Sequence, residues 1–446
     1  MTPSFDRANA HALAALVEAG RRRDIAACED IVDDAGTKLW ARGQSIRPEL
    51  IERLLVRKLR RPIEQCLTAR DGIAASDVVR CIERLLGGDR YLAALVGGSA
   101  RDVLDVARTL PLDGPVSLLL TAAEEGGRGF EHACLGALIA GGLAARAGVG
   151  QATLQRIVLG GLLHDLGELY VNPEYLHSRR ELNLEEWRHV AVHPRIGALF
   201  IRENTRYGAT IASIVDGHHE RQDGSGYPGR ATSSALRDET GWVIVAETMA
   251  GVMSDPVASP ARTLLAIGLV FGEYPLAPVG LVASAQRPFP IEADPGFDRV
   301  AARADIEALR AALRGAHAAA REAELNGAGA AERRSLSRLA PLLRRLDVAF
   351  VSSGAAHFFE LLGAAAETGD GEVELQLRLV PRELRWRMRS LARDVAHDLE
   401  TFTDAGRRAF APMLDALRGA SPASPSAAPG APPDPPAVAA QSATVD

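Results

Sequence analysis

The stretch Gly160–Tyr170, GGLLHDLGELY, decides how this chain is read. An apolar run of helical character leads directly into His164 and Asp165. Adjacent side chains on a helix point about 100° apart, so the two do not share a face. The pair either ends a helix as ordinary polar residues or grips metal from the lining of a central cavity. These residues alone leave both readings open.

Working outward, more histidines and carboxylates fall at telling positions. In EEWRHVAVHPRIGALF (185–200), His189 and His193 are four apart and share a helical face. Pro194 restricts the backbone of His193. His189 reads as a partly buried helical histidine and His193 as a candidate ligand. In HHERQDGSGYP (218–228), a plain loop needs the glycines and the proline, but not His218 beside His219. Upstream, His132 opens the apolar stretch GFEHACLGALIAGGLAARAG. Downstream, GWVIVAETMAGVM places Glu247 alone in an apolar run, where a carboxylate is costly unless paired or metal-bound. The candidate set is His132, His164, Asp165, His193, His218, His219 and Glu247. Histidine and carboxylate without thiolate suit iron, manganese or zinc rather than calcium. Seven groups are too many for one ion but fit two ions bridged by a carboxylate. Such a pair clamps a phosphoryl group and activates a water.

Composition narrows the alternatives. A chain of 446 residues holds two to four domains. A net charge of -6 gives no global basic footprint for nucleic acid. No apolar stretch is long enough to suggest a membrane span. The N-terminal basic cluster follows its apolar segment, the reverse of a secretory signal. Cys28, Cys66, Cys81 and Cys134 are widely spaced, which argues against a zinc knuckle and for reduced thiols in a cytoplasmic protein.

The expected fold is mainly α. Residues 1–70 read as a small α/β module of regulatory type, with a hairpin at Asp33-Asp34-Ala35-Gly36 and a helical face of Ile51, Leu54, Leu55 and Leu59. Residues 71–119 read as a helical connector, 120–290 as the histidine-bearing helical domain, and 300–418 as a C-terminal helical region. EVELQLRLV (372–380) alternates polar and apolar residues and reads as one strand. The amphipathic stretch from Pro381 to Phe410 then reads as a helix opened by its proline, a packed face with homodimerisation as the alternative. The Pro/Ala/Ser-rich tail, 419–446, is too poor in apolar surface to order itself. The basic run LLVRKLRRPIEQ (54–65) reads as a solvated helix face.

Taken together, these motifs resemble the HD-GYP family of metal-dependent phosphohydrolases: HD at 164–165, HP at 193–194, HHE at 218–220 and DGSGYP at 223–228. The likeness covers roughly residues 120–290. It implies an HD-type helical bundle with a binuclear, in some members trinuclear, metal centre, often iron. It implies cyclic di-GMP as substrate, opened to pGpG and cut on to GMP. His132 matches the first histidine ligand. His164 and Asp165 match the catalytic dyad, with Asp165 bridging both ions. His193, His218 and His219 match the remaining histidine ligands, and Glu247 stands where the family usually has an Asp ligand. Tyr227, with Asp223, Gly224 and Gly226, resembles the substrate-binding lip, where the glycines allow a sharp turn.

The departures from that pattern are concentrated on the cations. The family's HD-x-G-Lys reads Glu168 here. Near 4 Å, at an effective dielectric of about 20, such a like-charge contact costs up to roughly 4 kcal/mol before screening. Ala250 replaces a second Asp, and Asp255-Pro256-Val257 replaces a basic segment. Arg128 stands where the trinuclear type has a carboxylate, which favours two ions. The expectation is a cyclic-dinucleotide phosphodiesterase whose missing cations come from elsewhere, with Arg179, Arg180, Arg221 and Arg262 as candidates. The alternative is a catalytically weak regulatory module that keeps its metal.

Overall fold

Helices that are apolar on nearly every face must be buried on every face. Gly129–Arg146, Gln151–Leu163 and Asp238–Met253 are of this kind, and they pack against one another and against Gly208–Gly217. His193–Asn204 packs against the last of these. The structure, a computed structural model, describes residues 5–112, 114–127, 129–178, 180–255, 259–291, 296–325, 329–362 and 370–419. Arg128, Arg179, Pro256, Val257 and the tail from residue 420 lie outside the described residues. Of the described residues, 69% are helical. Among the described residues there are two small antiparallel sheets, pairing Ile25–Ala27 with Leu67–Ala69 and Ile31–Val32 with Lys38–Trp40. The second pair is the expected hairpin, and Gly36 takes a positive φ of 84° in its turn. Leu50 and Leu54 are buried from the helix Pro48–Leu55, whereas Leu59 is buried from beyond its end.

Two apolar cores result. The first runs from Phe5 to Ala285, so the N-terminal strands and helices share one core with the histidine-bearing bundle. The second gathers the helices Arg299–Leu325, Ala330–Ser352, Gly371–Asp398 and Asp404–Arg418, together with Val270.

The strand expected at 372–380 is instead the start of the helix Gly371–Asp398, and Pro381 lies inside that helix rather than opening it. The Asp370 side chain caps the helix by accepting from the Glu372 amide. Val373, Leu377, Val380 and Leu384 recur at helical spacing within the alternating string, and their packing in the second core selects the helix.

Among the described residues no helix is long and apolar enough to cross a membrane. All four cysteines are free.

Candidate metal centre

The elements end where the chemistry begins. His164 follows the last turn of Gln151–Leu163, and a short 3-10 turn, Leu166–Tyr170, carries the chain away. That turn packs on the His193 helix only because position 167 lacks a side chain: a Cβ there would meet the His193 carbonyl oxygen at 2.0 Å. His218 likewise caps Gly208–Gly217, while His132 and Glu247 project from the two long buried helices.

Three rings are held in the same way. Nδ1 of His164 donates to the Gly161 carbonyl at 2.7 Å, that of His193 to Val190 at 2.9 Å, and that of His218 to Val215 at 2.7 Å. A carbonyl only accepts, so each Nδ1 carries the hydrogen and each neutral ring offers a bare Nε2. His193 Nε2 and His218 Nε2 face each other at 3.1 Å. Asp165 Oδ1 lies 3.4 and 3.2 Å from them, buried and with no hydrogen-bond partner. Three acceptors converging in a buried space suit a cation bound between them.

On the other side, His164 Nε2 lies 3.0 Å from Asp165 Oδ2 and 2.9 Å from Glu247 Oε2. His132 Nε2 lies 2.9 Å from the same Glu247 oxygen and 3.4 Å from Asp165 Oδ2. Glu247, the lone carboxylate of its apolar run, therefore finds its partners on two neighbouring helices. The seven groups fall into two sets, Asp165–His193–His218–His219 and His132–His164–Asp165–Glu247, with the ligand atoms of each set within 4.8 Å of one another. Asp165 belongs to both. The donor set fits divalent transition metals, which is the chemistry HD domains use.

The electrostatics carry the same message. Burial works against the charged form of His132, but Glu247 and Asp165 outweigh it and push its pKa up to about 10. Burial would raise the Glu247 carboxyl, yet His132 and His164 hold it well below the usual range. His218 and His219 are lowered, first by burial and then by neighbouring histidines. The carboxylates attract positive charge strongly, and Asp165 raises His193 against its burial, while His218 and His219 resist protonation. A metal cation answers both demands at once.

The loop behind the centre is fixed by groups that are not ligands. Glu220 accepts from the amides of Gly229 at 2.5 Å and Ala231 at 2.7 Å, drawing the loop onto the helix end. Gly224 takes φ +80°, as a sharp turn demands. Gly226 serves close approach instead, since a Cβ there would meet the Arg221 amide nitrogen at 2.4 Å. Asp223 accepts from the Ser225 amide and hydroxyl at 3.0 and 2.6 Å and faces Arg345 at 3.6 Å. Tyr227 stacks on His219 with ring centroids 4.6 Å apart, and its peptide bond to Pro228 is cis. His189 lies outside both sets, half-buried between the rings of His11 and Tyr175.

A cavity of about 400 Å³ opens over His193, His219 and Glu247. Glu168 lines it, and burial followed by the charge of Asp165 pushes its carboxyl up to about 7. Arg180 and Arg221 also line it. Arg180 is taken up by Glu186 at 2.5–2.6 Å, and Arg221 bonds the Glu220 carbonyl and Thr248. Arg262 is buried against Asp255 at 2.9 Å and is not part of the cavity wall. The sequence reading missed much of the rest of the wall, including Trp187 and the residues Trp386, Arg387, Arg389 and Arg393 of the helix Gly371–Asp398. One signal was available: Arg385, Arg389 and Arg393 recur every four residues, as one helical face does.

Comparison with known proteins places this geometry. Residues 129–247 match the HD domain family. The chain is 32% identical over 117 residues to the cyclic di-GMP phosphodiesterase response regulator RpfG of Xanthomonas campestris, a stretch that covers 26% of this chain and 31% of that protein. It is 37% identical over 70 residues to a cyclic di-GMP phosphodiesterase of Pseudomonas aeruginosa, covering 16% and 17% of the two chains. It is 35% identical over 69 residues to 3'3'-cGAMP-specific phosphodiesterase 2 of Vibrio cholerae, covering 15% and 13%. The chain thus spans less than a third of the length of these curated relatives.

Proposed function

We propose, from the premise that this chain belongs to the HD-GYP type of HD-domain protein, that it is a metal-dependent phosphodiesterase acting on a cyclic dinucleotide. The observation that carries the reading is the set of buried acceptors around Asp165. Two bare Nε2 atoms and an unpartnered carboxylate oxygen meet in a buried space beside a cavity that His193, His219 and Glu247 line.

We assign the two ligand sets to two divalent ions, iron or manganese foremost and zinc compatible, with Asp165 shared between them. Metal bound there supplies Lewis acidity, stabilising charge on phosphoryl oxygens and acidifying a water. The protein's own part is orientation. The carbonyls of Gly161, Val190 and Val215 lock three imidazoles with Nε2 inward, so little reorganisation is needed when charge develops. Tyr227, backed by His219, and the loop held by Glu220 shape the mouth. The cavity volume is in the range that buries most of a small organic ligand. Cyclic di-GMP, opened to pGpG and on to GMP, is the substrate we assign. The phosphodiesterases similar to this chain support the class, since two of them are named for cyclic di-GMP and three for 3'3'-cGAMP.

The test is hydrolysis of cyclic di-GMP by anaerobically purified full-length protein, loaded with iron or manganese, beside Asp165→Ala. Turnover that disappears in the variant is the expected result. Bound metal with no turnover of cyclic di-GMP or cGAMP overturns the enzyme reading in favour of a regulatory module.

A further inference from the structure

The cavity contains two cations that have no charge partner, and neither belongs to the HD segment. Of the arginines in its wall, Arg180, Arg221 and Arg387 are committed. Arg387 donates to Glu273 at 2.7 Å, to Glu383 at 3.3 Å and to the Ala266 carbonyl at 2.6 Å. Arg389 and Arg393 differ. They stand four apart on one face of the helix Gly371–Asp398, and both line the cavity. Neither makes a hydrogen bond or ion pair among the described residues.

Arg393 lies over the face of Trp187, its guanidinium carbon 4.3 Å from the ring centroid, and its Nε is buried without a partner. Trp187 in turn meets Tyr227 edge-on at 5.2 Å, and Tyr227 stacks on His219. An aromatic chain therefore links this cation to the candidate metal ligands. Burial disfavours the charge of both arginines; Arg385 and Arg382 add to the effect on Arg389, and Arg389 adds to it on Arg393. Glu181 favours the charge of both from a distance, and Asp394 favours that of Arg393 while itself paired with Arg230 and Arg338. A half-buried guanidinium with no counter-ion is costly, and an anion placed in the cavity removes that cost.

We propose that Arg389 and Arg393 are the phosphate clamp of this cavity, so that the C-terminal helix supplies the positive charge that the HD segment lacks at Glu168 and around Asp255. This rests on the phosphoester reading above. The ligand chemistry is a phosphodiester presented beside an aromatic surface, and the guanidinium fork suits its paired oxygens.

The experiment is titration calorimetry on manganese-loaded full-length protein with two probes, cyclic di-GMP and inorganic pyrophosphate. The proteins are wild type, Arg389→Gln, Arg393→Gln, the double Gln variant and the double Lys variant, with exposed Arg314→Gln as the control for lost charge. Each single Gln variant is expected to weaken cyclic di-GMP binding about tenfold and the double about a hundredfold, with partial recovery in the Lys pair. Metal content and circular dichroism should stay unchanged. Wild-type affinity for both probes in the folded, metal-loaded double variant overturns the clamp, as does a wild type that binds neither probe. Pyrophosphate binding that depends on the arginines, in a protein that ignores cyclic dinucleotides, keeps the clamp and removes the proposed substrate.

Discussion

The two flanks of the histidine-bearing bundle are joined to it by different forces. The N-terminal flank is welded by apolar contact: Leu13 and Leu16 are fully buried, and Phe5 packs edge-on against Tyr170 and Phe200. The C-terminal flank has an apolar core of its own, which takes in Val270, and adds a row of ion pairs to the bundle. Arg387 joins Glu273, Arg230 joins Asp394 at 2.9 Å and Asp398 at 3.2 Å, Arg382 joins Asp255 at 3.1 Å, and Arg188 joins Glu400. Apolar burial is non-directional and insensitive to salt, whereas ion pairs fix orientation and are costly when one partner is lost. One flank is therefore built into the core, while the other is positioned over the cavity in a single register.

Arg387→Met is expected to have the largest effect. It leaves Glu273 and Glu383 buried with only Arg221 nearby, at 3.8 Å from Glu273, and should cost about 3–5 kcal/mol. Denaturant unfolding followed by hydrogen exchange should place the loss in Gly371–Asp398 and Pro260–Gly268. The pair Arg387→Met with Glu273→Met should recover most of it; if the double variant is no better than the single, the seam is not ionic in the sense argued here. Leu16→Ala should cost about 3 kcal/mol through its cavity. Because its core is shared, that loss should appear in the unfolding of the bundle as well. An N-terminal transition separate from the bundle's would break the comparison.

Glu64 sharpens the comparison as the polar exception on the apolar side. It is buried, accepts from the Tyr170 hydroxyl at 2.8 Å, and has one oxygen with no partner. Burial, not a neighbouring charge, pushes its pKa from 4.5 to about 7. The unfolded chain therefore loses this proton first. Between about pH 4.5 and 7 stability falls as pH rises, and above 7 the full cost remains. Glu64→Gln should stabilise the protein by up to about 3 kcal/mol at pH 8 and by little near pH 4, read as the difference in melting temperature. The smallest effect is that of salt. Raising sodium chloride from about 0.1 to 1 M should slightly speed amide exchange at the exposed Arg188–Glu400 end of the C-terminal seam and leave the helix Ala10–Ala19 untouched.

The candidate site was more legible in the sequence than the C-terminal wall of its cavity. His164-Asp165, His218-His219 and Glu247 could be found because each departs from an apolar helical run at a definite point, and a buried carboxylate requires partners. Glu220 was visible too, but its task of pinning the loop amides depends on a return of the chain that spacing does not encode. Arg389 and Arg393 were passed over for a similar reason. A charged stripe on an amphipathic helix looks the same whether it faces water or a cavity, and only the docking of the second core distinguishes the two. The strand read at 372–380 failed because Val373, Leu377, Val380 and Leu384 satisfy the helical period inside an alternating string.

The position of Trp187 has an optical consequence. The chain has four tryptophans, and this one lies between the guanidinium of Arg393 and the edge of Tyr227. Anything that draws Arg393 off the indole face changes the local field on that chromophore. With Trp40, Trp242 and Trp386 replaced by Phe, the emission spectrum of the remaining indole becomes a built-in gauge of cavity occupancy, readable without a label and on the timescale of ligand arrival.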